Sequence, residues 1–244
     1  MQRFFLSPEF IEEDRVVFPK HITHQLKTVM RLSPESRQMV IVLDNTGMER
    51  EVVLDGLSDG LYLGRVTAMR EGRKPPELKL TLAFSLTKRE KVETILQKGT
   101  ELGVCAFQPF VSSRSLVHKL NGDPKQPMRW EGIMREAAEQ CKRSTLPVLL
   151  PTSSFEKIIK AEWGAAARFL AGEKADPETD LIRGVPGENK SAVLVVGPEG
   201  GFSAAEVELA REQGWRIVSL GRSILRMETA CIAGAAILLH QSEL

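Results

Sequence analysis

The sequence predicts an α/β protein, with a small β-rich N-terminal module followed by a larger domain that has a mainly parallel sheet. In the first third of the chain, short apolar runs alternate with turn residues, and only residues 20–32 show helical spacing. From residue 78 onward, apolar strand-like runs alternate with amphipathic segments, which is the pattern of a parallel sheet covered by helices. The polar, proline-containing segment 70–76 separates the two patterns, so we place the domains at 1–72 and 73–244.

The same periodicities predict the individual elements. Strands are expected at 3–6, 39–43, 51–54 and 61–67 in the first module, and at 78–84, 104–110, 146–150, 168–170, 192–196 and 216–220 in the second. Helices are expected at 88–102, 128–143, 153–163, 203–213 and 229–239. Ser203 with Glu206, and Ser153 with Glu156, have the spacing of a capping box that opens a helix. The acidic segment 172–189 is predicted to be a surface loop.

Composition excludes several classes of protein. The cysteines Cys105, Cys141 and Cys231 are far apart and are not interleaved with histidines, so we expect neither a disulfide framework nor a metal site. The longest apolar stretch, 229–239, is too short to span a bilayer, so no membrane partner is expected. The N-terminus lacks the features of a secretory signal, which predicts a cytoplasmic protein.

The formal net charge is only +1, but two segments are locally basic. Residues 65–91 carry eight basic and three acidic side chains, and residues 114–143 have a milder excess of basic ones. Such stretches are either solvated surface or a phosphate-binding surface, and composition alone leaves both interpretations open.

Two glycine-containing loops are the strongest local signal for a ligand site. The apolar strand 192–196 runs into Gly197-Pro198-Glu199-Gly200-Gly201, and the strand 216–220 runs into a second loop that ends at Arg226. Ligands of open α/β sheets bind at the carboxyl ends of strands, where glycines allow the backbone to approach closely. The first loop is neither a dinucleotide-binding fingerprint nor a P-loop, and taken alone it could be a simple tight turn.

Together with other segments, these loops resemble a known family. The segments 197–203, 220–221 and 224–230 are similar to the 16S ribosomal RNA uridine N3-methyltransferases (RsmE family) of the SPOUT superfamily. Arg3-Phe4-Phe5, Val29-Met30-Arg31-Leu32 and Glu139-Gln140-Cys141-Lys142-Arg143 are among the further matches in family order. The sequence departs from the family at Ser113, Ser223 and Met227.

The resemblance implies a fold and a cofactor that periodicity could not show. It implies a PUA-like RNA-binding β-barrel at the N-terminus, a C-terminal SPOUT domain with a deep trefoil knot, and a homodimer. It also implies that the cofactor is S-adenosylmethionine, which leaves as S-adenosylhomocysteine. The donor-binding residues would be Leu170, Ala171, Gly172, Val196, Gly197, Pro198, Glu199, Gly200, Gly201, Ser219, Leu220, Gly221, Ile224, Leu225 and Met227.

The chemistry of uridine suggests catalytic roles for two residues. N3 carries a proton at neutral pH and must lose it as it attacks the methyl group, so a base or a cation that stabilises the resulting anion is needed. We hypothesise that Arg226 stabilises the developing charge, and that Glu228 accepts the proton or orients Arg226. Glu228 could equally be a carboxylate that stabilises the N-terminus of the last helix.

The predicted partner is 16S ribosomal RNA within the small ribosomal subunit. N3 lies on the Watson–Crick edge, so the target base must be unpaired or flipped. Arg114, Gln140 and Arg143 are candidates for the target nucleotide, and Arg3 and Arg31, with the basic stretch 65–91, for the flanking phosphates.

Two other functions remain open at this point. A SPOUT enzyme could methylate a ribose 2′-hydroxyl or a different base, because the fold alone does not fix the reaction. A non-catalytic RNA-binding relative would be expected to lose the glycines of the donor loops, whereas Gly197, Gly200, Gly201 and Gly221 are all present.

Overall fold

The computed structural model of the chain describes residues 1–33, 36–117, 125–172, 175, 181–182, 185 and 190–241. The chain divides into two compact units. The N-terminal unit comprises Met1–Pro75 and Ala138–Leu146, and the C-terminal unit comprises Pro76–Ala137 and Pro147–Leu244. The sequence did not indicate that residues 138–146 belong with the N-terminal unit.

The N-terminal unit is built on one sheet. Its strands are β1 (Arg3–Phe5), β2 (Ile11–Glu12), β3 (Arg15–Val17), β4 (Met39–Leu43), β5 (Met48–Ser58) and β6 (Leu61–Glu71), in the order β1-β4-β5-β6-β3-β2. Among the described strands of this unit, only the β1–β4 pair is parallel. Strands β5 and β6 are longer than predicted because they continue as a paired ribbon through polar residues that carry no apolar signal. A 3-10 turn at Pro8–Phe10 connects β1 to β2.

The single helix predicted in this unit changes its character part-way. It starts as α1 (Lys20–His24) and continues as a π-helical turn at Gln25–Val29, rather than as regular α-helix to residue 32. Ile22 and Leu26 point into the core, where they pack with Phe4, Phe18 and other buried residues of the sheet. The predicted helix is therefore present but shorter. Ile22, Leu26 and Met30 of its predicted apolar face pack in or against the core, whereas Val29 is 71% exposed.

The C-terminal unit contains a parallel sheet flanked by helices, as predicted. Its strands are β7 (Lys79–Ser85), β8 (Ala106–Val111), β9 (Val148–Leu149), β10 (Ser153–Ser154), β11 (Ala167–Ala171), β12 (Ser191–Val196) and β13 (Arg216–Val218). The order is β10-β8-β7-β12-β11-β13, with β9 beside β8, and every pair is parallel. The helices are α2 (Arg89–Leu102), α3 (Gln126–Gln140), α4 (Phe155–Lys160), α5 (Ala204–Glu212) and α6 (Met227–Gln241).

Helix ends show where local signals were sufficient. The capping box at Ser203 and Glu206 opens α5, and Gly103 ends α2 with a φ of 107°. The second predicted capping box is wrong by one residue: Ser154, not Ser153, caps α4, and the helix ends at Lys160. Both serines pair with β8 as strand β10, and the helix begins directly after Ser154, which puts its cap one residue later than predicted.

Both faces of the parallel sheet are buried. Leu80, Leu82 and Phe84 pack on the side of α2 and α6, whereas the alternate residue Ala83 packs with α4 and α5. This explains why the strands appear in sequence as continuous apolar runs. Within the described residues, no helix is long and apolar enough to cross a membrane. The predicted loop 172–189 lies mostly outside those residues.

Candidate active site

The two glycine-containing loops line one cavity in the C-terminal unit. Strand β11 pairs with β12 on one side and β13 on the other, so that the carboxyl ends Ala171, Val196 and Val218 lie side by side. The segments that follow these ends enclose a cavity of about 340 Å³. The prediction that neighbouring strand ends bring the loops together is therefore fulfilled geometrically.

Most of the predicted donor-binding residues line this cavity. They are Ala171, Gly172, Val196, Gly197, Pro198, Glu199, Gly201, Ser219, Leu220, Gly221, Ile224, Leu225 and Met227. Two do not. The side chain of Leu170 is buried in the core on the other side of its strand, next to residues such as Trp215, and Gly200 is exposed and faces Arg114.

Arg222 and Ser223, which belong to the predicted second loop, also line the cavity, whereas four lining residues were not identified from the sequence: Ala175, Phe202, Val218 and Ala230. Most carry small or apolar side chains, and nothing in their pattern distinguishes a cavity wall from the core. Phe202 is linked to a glycine of the first loop, because a Cβ on Gly197 would lie 2.8 Å from the Phe202 ring. Gly197 is therefore a glycine partly to admit this aromatic side chain.

The second loop depends on a left-handed backbone conformation at Gly221. Its φ is 127°, and no atom lies within 4 Å of where a Cβ would be, so the requirement is conformational rather than steric. The hydroxyl of Ser219 lies 3.2 Å from the Gly221 amide and 3.1 Å from its carbonyl oxygen. This short turn aims residues 222–226 along the edge of the cavity.

A cluster of charged side chains, which we call the Lys91 cluster, joins the first loop and the start of α6 to helix α2. Lys91 Nζ lies 2.8 Å from Glu199 Oε1 and 3.2 Å from Glu228 Oε2, and Thr87 Oγ1 donates to the same Glu199 oxygen at 2.7 Å. Hydrogen bonding to Glu199 raises the pKa of Lys91. Burial alone would raise the pKa of Glu199, but the hydrogen bonds from Lys91 and Thr87 outweigh it, so this pKa lies below its usual value.

The two predicted catalytic residues differ in their surroundings. Arg226 immediately precedes α6, is exposed and lines the cavity, and its carbonyl accepts the Ala230 amide at 2.8 Å. No described residue forms a hydrogen bond or ion pair with its guanidinium group. Glu228 contacts Lys91 instead, so the hypothesis that Glu228 orients Arg226 has no contact to support it.

Comparison with known proteins identifies the family. The RNA methyltransferase domain family matches residues 74–239. The ribosomal RNA small subunit methyltransferase E of Bacillus subtilis is 33% identical over 256 residues, covering 100% of this chain and 98% of the relative. The chain belongs to this methyltransferase family. The Synechocystis protein of the same name is 34% identical over 230 residues, covering 93% of this chain and 74% of its own length.

Solved structures of family members have the same fold. A ribosomal RNA small subunit methyltransferase E from Neisseria gonorrhoeae, bound to S-adenosyl methionine, has a TM-score of 0.83 at 30% identity and covers 97% of this chain and 95% of its own. A probable rRNA-methyltransferase from Porphyromonas gingivalis has a TM-score of 0.82 at 26% identity and covers 100% and 99%. The predicted family and the mixed α/β fold with a parallel sheet are thus confirmed.

Of the predicted RNA-contacting residues, only Arg114 belongs to the C-terminal unit of this methyltransferase. It is exposed, and its Nη1 donates to the carbonyl of Gly200 at 3.0 Å. The backbone beside it is fixed, because the Ser113 amide donates to Glu206 Oε1 at 2.9 Å and the buried Ser115 hydroxyl accepts the Ser112 amide at 2.8 Å. Arg114 therefore projects from a rigid turn next to the first loop.

The other four belong to the N-terminal unit, and one of them requires correction. Arg3 is buried in β1 and forms an ion pair with the buried Glu49, so it is not available to a phosphate group. Arg31 is exposed and has a φ of 53°. Gln140 is exposed at the end of α3, and Arg143 is half-buried with its Nε donating to the Thr145 carbonyl at 3.2 Å.

The structure also accounts for part of the basic stretch 65–91. Arg70 pairs with Glu49 and Glu51, and Lys91 pairs with Glu199 and Glu228. These charges are neutralised within the protein, whereas Arg73, Lys74, Lys79 and Lys88 are exposed. The described residues contain no group of three or more histidine, cysteine or acidic side chains that could hold a metal ion.

Proposed function

We propose that this methyltransferase transfers a methyl group from S-adenosylmethionine to N3 of a uridine in 16S ribosomal RNA. The observation that carries the proposal is the cavity at the ends of β11, β12 and β13, in a chain related over its full length to ribosomal RNA small subunit methyltransferases. The related Neisseria structure, which is bound to S-adenosyl methionine, supports the assignment of the donor.

The cavity has properties that suit this donor. Its volume of about 340 Å³ is within the usual range for small-molecule sites. Leu220, Leu225 and Met227 offer an apolar surface for the adenine ring, while the glycines of both loops leave backbone N–H and C=O groups accessible to polar groups of the donor. When bound, the donor supplies a methyl group activated by the adjacent sulfonium.

In the proposed reaction, the chain aligns the two reactants and stabilises charge. The cavity walls hold the donor in a fixed orientation, which carries a large part of the rate enhancement in such transfers. As uridine N3 loses its proton to a solvent water, negative charge develops on O2 and O4, and the exposed guanidinium of Arg226 is proposed to stabilise it. Glu228 is proposed as the proton acceptor only in the alternative in which its contact with Lys91 is released.

We place RNA binding on both units. Arg114, Gln140 and Arg143 are proposed to contact the target nucleotide, and Arg31 the flanking phosphates. The N-terminal six-stranded sheet is proposed to form a PUA-like RNA-binding barrel over residues 1–72, and residues 73–244 a SPOUT domain with a trefoil knot. These features and the homodimer rest on resemblance to the family.

The test is to map methylated uridines in small-subunit ribosomal RNA by mass spectrometry, with and without the gene. We expect one N3-methyluridine to disappear on deletion and to return when the wild-type gene, but not the Arg226→Ala variant, is supplied. Loss of a ribose 2′-O-methyl group or of a different methylated base would contradict the proposed position while retaining the enzyme class. An unchanged set of modifications would contradict the function itself.

A further inference from the structure

The Lys91 cluster contains a side chain that touches both walls of the cavity without lining it. Glu199 belongs to the first loop, and Glu228 lies in the first turn of α6, between the lining residues Met227 and Ala230. Lys91 lies on α2, more than one hundred residues away in sequence from either carboxylate. One ammonium group is therefore the polar link between two walls that the chain builds separately.

The packing of helix α2 on helix α6 fixes the position of this ammonium group. Val92 and Ile95, which follow Lys91 on α2, are buried against α6 in the same core cluster as Cys231 and Ala235. The helix that carries Lys91 is thus packed firmly on the helix that carries Glu228. The side chain of Lys91 is 26% exposed, that of Glu199 is 28% exposed and that of Glu228 is 19% exposed. Solvent therefore screens these charges only in part.

The chemistry of the cluster requires the lysine. Two carboxylates near one cation attract it, but without the cation they repel each other, and Glu228 Oε2 is buried with no other described polar partner. Thr87 holds Glu199 on one side, which leaves Lys91 as the group that relates Glu199 to Glu228. Its loss should let the first loop move away from the start of α6.

We infer that Lys91 is a positioning residue for the methyl donor, because it sets the separation between the first loop and the start of α6, two walls of the proposed donor cavity. This inference rests on the proposed function, since it assumes that the cavity takes S-adenosylmethionine. In the sequence, Lys91 was one of several basic residues assigned to RNA phosphates. The structure instead uses its charge inside the protein, beside Glu199 and Glu228.

The experiment compares donor and RNA affinities of full-length variants by titration calorimetry and filter binding. For Lys91→Met we expect the Kd for S-adenosylmethionine to rise about tenfold, and the Kd for a small-subunit RNA fragment to change less than about twofold. Lys91→Arg should recover most of the donor affinity, because it retains the positive charge. Lys98→Met is the matched control, since Lys98 lies on the same helix and, within the described part of the chain, pairs only with the nearby Glu101.

A double-mutant cycle separates positioning from general stability. If Lys91 acts through Glu199, the Glu199→Gln change should weaken donor binding much less in the Lys91→Met background than in the wild type. An unchanged donor Kd in Lys91→Met, or equal losses of donor and RNA affinity together with a large fall in Tm, would overturn the inference. If Lys91→Met folds poorly, the same donor and RNA affinities are measured for Thr87→Val, which is a milder change in the same cluster.

These measurements distinguish a failure of the proposed function from a failure of the role inferred for Lys91. If the wild-type protein itself binds no S-adenosylmethionine, the proposed function fails. If the wild type binds the donor and Lys91→Met binds it equally well, only the role of Lys91 fails.

Discussion

Each unit contains a cluster of charged side chains, and the two clusters are built in opposite ways. In the N-terminal unit, the single carboxylate of Glu49 is shared by Arg3, Arg70 and the Ser144 hydroxyl. In the C-terminal unit, the single ammonium of Lys91 is shared by two carboxylates. The side chains of Arg3 and Glu49 are 8% and 6% exposed, whereas the three charged side chains of the Lys91 cluster are each about one-fifth to one-quarter exposed.

This difference distinguishes charged side chains that stabilise the fold from charged side chains that position a binding site. The Glu49 carboxylate receives donors from strands β1 and β6 and from residue 144, and it does not line the cavity at the ends of β11, β12 and β13. The Lys91 cluster borders the proposed donor cavity and remains partly hydrated. Separating its charges from their partners therefore costs less free energy than separating the buried charges of the Glu49 cluster. Changes in the first cluster should therefore alter stability, and changes in the second should alter ligand binding.

The largest expected effect is on the stability of the N-terminal unit. Glu49→Gln keeps the size of the side chain but leaves the Arg3 guanidinium buried without its counter-charge. We expect the free energy of unfolding in urea to fall by about 3–5 kcal/mol. Glu51→Gln is the control, because Glu51 pairs with Arg70 in a more exposed position.

The same variant also tests the comparison of the clusters. At a temperature where Glu49→Gln is still folded, its affinity for S-adenosylmethionine should equal that of the wild type. If stability changed by less than about 1 kcal/mol, the value typical of exposed pairs, the Glu49 cluster would not have the role assigned to it.

The next effect is on catalysis. Arg226→Ala should lower kcat about 10²–10³-fold, the usual loss when a group that stabilises developing charge is removed. The donor Kd should stay within about twofold, because the loop backbone that is proposed to bind the donor is retained. Arg211→Ala, a change in an exposed arginine of α5, should leave both quantities unaltered. Wild-type turnover of Arg226→Ala would refute the assignment of Arg226.

One glycine in each unit can be substituted to introduce a comparable backbone strain. Gly221 in the cavity loop and Gly47 in the turn between β4 and β5 have φ values of 127° and 92°, and neither has an atom within 4 Å of the position that a Cβ would occupy. Each change to alanine should therefore introduce about 1–3 kcal/mol of conformational strain and no clash. Gly221→Ala should weaken donor binding, and Gly47→Ala should lower only Tm. Identical effects of both variants on donor binding would contradict this division.

The smallest effect is on pH dependence. The pKa of Glu49 lies below its usual value, because hydrogen bonds from Arg3 and Ser144 outweigh the effect of burial. Its contribution to stability is thus present above the unfolded pKa of about 4.3 and is lost as the pH falls through the folded pKa. The raised pKa of Lys91 has the opposite sign: its contribution is present below about pH 10.4 and is lost as the pH rises through the folded value.

Donor affinity measured against pH gives the check. The wild type should lose affinity at alkaline pH, and Lys91→Arg should not, because arginine keeps its charge there. An alkaline loss that is the same in both proteins would show that another group is responsible.

Local signals were sufficient to predict much of the fold, but only part of the site. Apolar periodicity located the strands of the parallel sheet except β10, and the capping box at Ser203 defined the start of α5. The loops could be assigned to one cavity because parallel strands end on the same side of a sheet. The ion pairs of Arg3 and Lys91 could not be foreseen, because their partners lie 46 and more than 100 residues away.

The return of residues 138–146 to the N-terminal unit has a practical consequence for dissecting the molecule. A fragment ending at Pro75 would lack the Glu139 carboxylate that accepts the Phe5 amide at 3.0 Å, and the Leu146 amide that donates to Asn45 at 2.6 Å. The module is therefore discontinuous in the gene and cannot be excised by a single truncation. A transplantable version would require a tether that carries this distant segment back to the sheet, with a span chosen for the gap it must bridge.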